Sequence, residues 1–128
     1  MASEVLVLSY AACGTCKKAL KWLSARGIAH ALRDVTIAPP TPAELGTWIP
    51  KSKLPVRKWL NTSGQSYRAL GKDKIAQATD ETLVAWLAAD GRLVKRPVLV
   101  AGAPDAPRHV LVGFSDESYE AALAKEPS

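Results

Sequence analysis

Four residues, Cys13-Gly14-Thr15-Cys16, stand where an apolar run ends and a helical pattern begins, and this junction limits what the chain can build. Val5-Leu6-Val7-Leu8 is a β-branched and aliphatic run of strand length, while Lys17 to Leu23 has helical spacing. The cysteines therefore belong to a strand-to-helix turn. At such a turn the first helical N–H groups lack intrahelical partners and the positive end of the helix dipole points outward. A thiolate at Cys13 is favoured there over a thiol, as in other Cys-x-x-Cys pairs, whose pKa falls to roughly 7 or below. Lys17 and Lys18 put positive charge in a turn that normally prefers acids, which suits a bound anion or the thiolate.

A chain of 128 residues makes one domain and buries enough surface to fold without a disulfide. It holds no apolar run of the roughly 20 residues needed to span a membrane, and Met1-Ala2-Ser3-Glu4 lacks the pattern of a secretory leader, so the expected location is cytoplasmic. In a reducing compartment a lone Cys-x-x-Cys is catalytic or metal-binding rather than structural. With two cysteines and only His30 and His109 beside them, no zinc-ligand spacing is present, and no metal is expected. The net charge of +5 suits anionic small molecules, acidic partners or nucleic acid alike. No recognition helix, zinc-finger spacing or aromatic RNA-binding signature accompanies it, so direct nucleic-acid binding is not expected.

Taken in order, the first helix runs from the Cys pair to about Arg26 and ends at Gly27, with Ala19, Leu20, Leu23 and Cys16 on its buried stripe. Residues 28–35 read as a second strand, which closes a right-handed βαβ unit with parallel strands. His30, on that strand, could serve the cysteines as a base but reads more simply as structural. Thr41, Pro42 and Glu44 spell a capped helix start, and Pro50 is expected to stop that helix. A short helix over 55–60, a turn at Asn61-Thr62-Ser63-Gly64 and a single turn over 66–71 follow. A longer helix starts at Thr79 with Leu83, Val84, Trp86 and Leu87 inward, and Trp48, Trp59 and Trp86 read as core anchors. Residues 96–100 read as a strand, 101–107 as a hairpin loop and 109–112 as a strand. A last helix capped by Ser115 runs to about Ala124.

This order (βαβ, a helical insertion at about 42–91, then ββα) with the Cys pair at the first turn predicts an α/β, thioredoxin-like fold with a mixed four-stranded sheet over residues 1–128. Ala12-Cys13-Gly14-Thr15-Cys16-Lys17-Lys18, Asn61-Thr62-Ser63-Gly64, Lys95-Arg96-Pro97-Val98 and Val112-Gly113-Phe114 also resemble the signature segments of the arsenate reductase/Spx family. The resemblance implies that Cys13 is the nucleophile toward arsenate, that Arg96 binds the oxyanion and that Pro97 is the cis-proline beside the site. Physical chemistry agrees: Gly14, Thr15 and Cys16 offer first-turn amides to an anion, and an arginine adds a bidentate clamp. Cys16 or glutathione would resolve the adduct. No bound cofactor is expected; glutathione, glutaredoxin or thioredoxin would donate electrons.

Reductases of that family carry three arginines around the anion and usually serine at the position of Cys16. Here Asn61 and Gly113 stand where two of the arginines fall, leaving Arg57, Arg68 and Arg108 as candidates to compensate. The Spx branch implies a rival, a Cys-x-x-Cys redox switch that binds the RNA polymerase α-subunit. A generic thiol/disulfide reductase is the other alternative.

Overall fold

The computed structural model describes residues 5–123. Residues 1–4 and Ala124, the expected end of the last helix, lie outside them. Strand β1 (Val5–Ser9) leads into helix α1 (Gly14–Ala25), and β2 (Ala31–Asp34) follows. Then come α2 (Pro42–Ser52), a 3₁₀ turn at Val56–Trp59, α3 (Gln65–Leu70), α4 (Lys72–Gln77), α5 (Asp80–Ala89) and a 3₁₀ turn at Gly91–Leu93. Strands β3 (Val98–Ala103) and β4 (Ala106–Val112) and helix α6 (Asp116–Leu123) complete the order.

The sheet runs β2-β1-β3-β4, with β1 parallel to β2 and antiparallel to β3, so it is the expected mixed four-stranded sheet. Alternation sends Val5 and Val7 of β1, with Leu99 and Ala101 of β3, to the face covered by α1 and α6. Leu8, Val98, Val100 and Val110 point the other way, onto Trp48, Trp59, Leu83 and Leu87 of the insertion. Both faces of β3 are thus buried, which is why Val98 to Val100 reads as an unbroken apolar run.

Several boundaries differ from the sequence reading, each for a local reason. The second strand is confined to Ala31–Asp34. Helix α2 passes through Pro50 and ends at Lys53, whose left-handed φ of 62° brings its N–H to the Pro50 carbonyl at 3.1 Å. Pro50 lies in the last turn, and the Ser52 hydroxyl donates to the Ile49 carbonyl at 2.7 Å as the helix closes. The stretch read as one turn over 66–71 is α3, and α4 follows it unforeseen because Ile75 is its only buried residue and leaves no periodicity to read. Trp86 is only partly buried, flanking the Leu83/Leu87 stripe under the Lys74 ammonium at 5.5 Å, and Trp22 is the third buried tryptophan instead. The expected loop over 101–107 is mostly strand. Its turn narrows to Pro104-Asp105, and the register slips between Ala101 and Gly102 where Pro107 enters the edge strand.

Candidate active site

Cys13 is itself the N-cap of α1: its backbone is extended, and its Sγ accepts the Cys16 N–H at 3.2 Å. A tight turn from β1, closed by the Cys13 N–H donating to the Tyr10 carbonyl at 3.0 Å, delivers it there. The amides of Gly14 and Thr15 lie in the first helical turn, exposed. Cys13 is partly exposed and Cys16 only 1% exposed, the division expected from the helix pattern.

The second half of the site arrives from β3. Leu8 of β1 pairs with Val98, so the segment before β3 lies beside the end of β1. The Arg96–Pro97 peptide is cis, and the Pro97 carbonyl accepts the Gly113 N–H at 2.8 Å. The Arg96 side chain acts on the Cys13 sulfur, favouring its ionised form, while its guanidinium lies 5.0 Å from the centre of the Tyr10 ring.

These surroundings separate the two thiols. Partial burial opposes ionisation of Cys13, but hydrogen bonds from the Cys16 thiol and amide, and then from Arg96 with its charge, outweigh it and hold Cys13 below the ordinary thiol range. Burial pushes Cys16 up to about 12, helped by its hydrogen bond to Cys13 and by the Cys13 charge. The pair therefore holds one accessible sulfur that ionises more readily than an ordinary thiol and one buried thiol that keeps its proton.

Beyond Arg96 lies a pocket of about 190 Å³ lined by Tyr10, Asn61, Gly64, Gln65, Ser66, Arg92 and Arg96. Its walls are set by backbone pairing: Asn61 N–H donates to the Leu93 carbonyl at 2.7 Å, Lys95 N–H to the Trp59 carbonyl at 2.8 Å, and Leu60 bridges Val94. Asn61, expected from the family resemblance to stand where an arginine falls, lines this pocket and donates from Nδ2 to the Arg92 carbonyl at 3.4 Å. Gly64 leaves room for that carboxamide, since a Cβ there would approach Asn61 Nδ2 to 2.8 Å.

The arginines proposed to compensate are elsewhere. Arg57 donates to the Ile75 and Ala78 carbonyls at 2.8 Å each, and Arg68 to the Ser63 carbonyl at 2.8 Å. Arg108 sits against Gly102, at the opposite end of the sheet. The added cation is Arg92, whose only sequence signal is its nearness to Arg96-Pro97. His30 is also remote: its strand neighbours pair with Leu6, and its Nδ1 lies 2.9 Å from the Ile28 carbonyl, so it is no base for the cysteines. Among the described residues no three His, Cys, Asp or Glu side chains form a metal-sized group, and no helix is long and apolar enough to cross a membrane.

A βαβ–ββα sheet with a low-pKa cysteine capping its first helix, opposite a cis-proline, defines a thioredoxin-like α/β protein. The ArsC family model matches residues 8–122, and the chain belongs to that family. It is 39% identical to the uncharacterized protein YusI of Bacillus subtilis strain 168, across 87% of this chain and 91% of YusI. Among solved structures it is similar to an ArsC family related protein from Bacteroides fragilis, with 44% identity, a TM-score of 0.84 and coverage of 93% and 98% of the two chains. A protein described as a possible arsenate reductase from Streptococcus mutans UA159 gives 33% identity, a TM-score of 0.78 and coverage of 92% and 98%. Family and site together mark a thiol-dependent reductase-like protein.

Proposed function

We propose that the protein is a cytoplasmic arsenate reductase in which Cys13 is the nucleophile and Cys16 the resolving thiol. The observation that carries this reading is the partly exposed Cys13 at a helix N-terminus, its sulfur accepting the Cys16 N–H and its ionisation favoured by Cys16 and Arg96. Arsenate would sit on the Gly14, Thr15 and Cys16 amides and on the Arg96 guanidinium. The Cys13 thiolate attacks arsenic and displaces an arsenate oxygen as water, giving a sulfur–arsenic(V) bond. Attack of a second thiolate on the Cys13 sulfur then breaks that bond, forms a disulfide and releases arsenite, which carries away two electrons. Once Cys13 is bonded to arsenic, its negative charge, one of the causes that hold the Cys16 proton, is gone, and Cys16 becomes easier to ionise. Glutathione, glutaredoxin or thioredoxin would restore the thiols.

Purified protein assayed with arsenate and each donor should form arsenite, and Cys13→Ser should lower turnover at least about a thousandfold. Turnover retained in that variant would overturn the nucleophile assignment. The second reading, a general thiol/disulfide reductase, is favoured by a single observation: among the described residues Arg96 is the one arginine whose charge favours ionisation of Cys13. Reduction of a small disulfide with no arsenite from any donor would select it.

A further inference from the structure

Arg92 and Arg96 line one concavity whose other walls, Tyr10, Asn61, Gly64, Gln65 and Ser66, contain no carboxylate. Neither arginine forms an ion pair among the described residues. Arg96 faces two ways, toward the Cys13 sulfur and into the pocket, whereas Cys13 does not line the pocket. A bare oxyanion held at Cys13 therefore needs Arg96 and leaves Arg92 without a role. The 190 Å³ volume is several times the roughly 30 Å³ of a water, room for an acid group together with the chain that carries it.

We propose that the pocket between Arg92 and Arg96 is a carboxylate subsite, and that the small thiol or disulfide entering the reaction at Cys13 carries a carboxylate bound there. The guanidinium fork of Arg92 offers the paired donors that a carboxylate takes. Asn61 positions that arginine through its bond to the Arg92 carbonyl, which the Arg96 guanidinium also approaches at 3.5 Å. The residue standing in for a family arginine thus helps to set another arginine in place.

The inference rests on Cys13 being the reacting thiolate. With a disulfide, the Cys13 thiolate attacks one sulfur, a new sulfur–sulfur bond forms and the old one breaks. The departing thiolate leaves with the electron pair of the old bond.

Two chromogenic disulfides test the subsite in the reduced full-length protein: dithiobis(nitrobenzoate), which bears a carboxylate on each ring, and neutral dithiodipyridine. Arg92→Gln should slow the reaction of Cys13 with the acidic reagent about tenfold and leave its reaction with the neutral one unchanged. Lys58→Gln, which removes the same charge from an exposed position on the insertion, should change neither rate. Equal slowing with both reagents, or an effect of Lys58→Gln as large as that of Arg92→Gln, overturns the subsite. A wild-type Cys13 inert even to the neutral reagent overturns the thiolate reading itself, and the subsite with it.

Discussion

Cys13 and Arg96 meet across the site, but they are held there by different kinds of structure. Cys13 is fixed by its own neighbours in the chain: the strand before it, the helix after it and a turn closed onto Tyr10. Arg92, Arg96 and Asn61 are fixed by pairing between segments distant in sequence, Trp59 to Asn61 against Leu93 to Lys95. The local half supplies the reactive sulfur, and the distant half supplies charge and shape. A site divided in this way can lose either half separately, and each loss has its own signature.

The most damaging test of the distant half is Gly91→Ala. A Cβ on Gly91 would run into the backbone carbonyl of Val35, and neither backbone can rotate away as a side chain would. We expect a loss of about 3 kcal/mol in chemical denaturation, and a change below about 0.5 kcal/mol would show that the 3₁₀ turn holding Arg92 is not seated against the Val35 backbone that follows β2. Arg96→Gln tests the join between the halves. It should raise the midpoint of Cys13 alkylation with pH toward the ordinary value near 8.5 and slow alkylation at neutral pH several-fold. Cys16→Ala should raise the same midpoint from the local side, so an unchanged midpoint in either variant removes that residue from the cause. The smallest effect lies outside both halves, at Glu44. Its carboxylate accepts from Arg33 at 2.8 Å and from the Thr41 N–H at 2.9 Å, which holds its pKa below the usual carboxylate range. Its contribution is therefore complete above about pH 4.5 and is lost as the pH falls through the lower folded value. Glu44→Gln should cost about 1 kcal/mol at neutral pH and almost nothing in strong acid, as read from unfolding midpoints.

What could be read beforehand follows the same division. The strand, the Cys pair, helix α1 and its stop at Gly27 are written in adjacent residues, as are the Thr41 cap and the parallel pairing of the first βαβ unit. Helix α4 and the partial exposure of Trp86 were not legible, because both depend on which faces of the short insertion helices meet the sheet. Arg92 was hidden for the same reason. Nothing in its own neighbourhood separates it from Arg57, Arg68 or Arg108, and only the pairing of residues 59–61 with 93–95 brings it beside Asn61.

The sheet order has one more consequence. Strand β1 lies between β2 and β3, so the insertion that joins those two strands crosses one face of the sheet, while α1 and the core beneath the cysteines pack on the other. Reactivity and recognition are therefore anchored on opposite sides of a single layer. In evolutionary terms, the insertion of such a chain can be rewritten, arginine by arginine, to admit a different reactant while the sulfur chemistry passes unchanged from one descendant to the next.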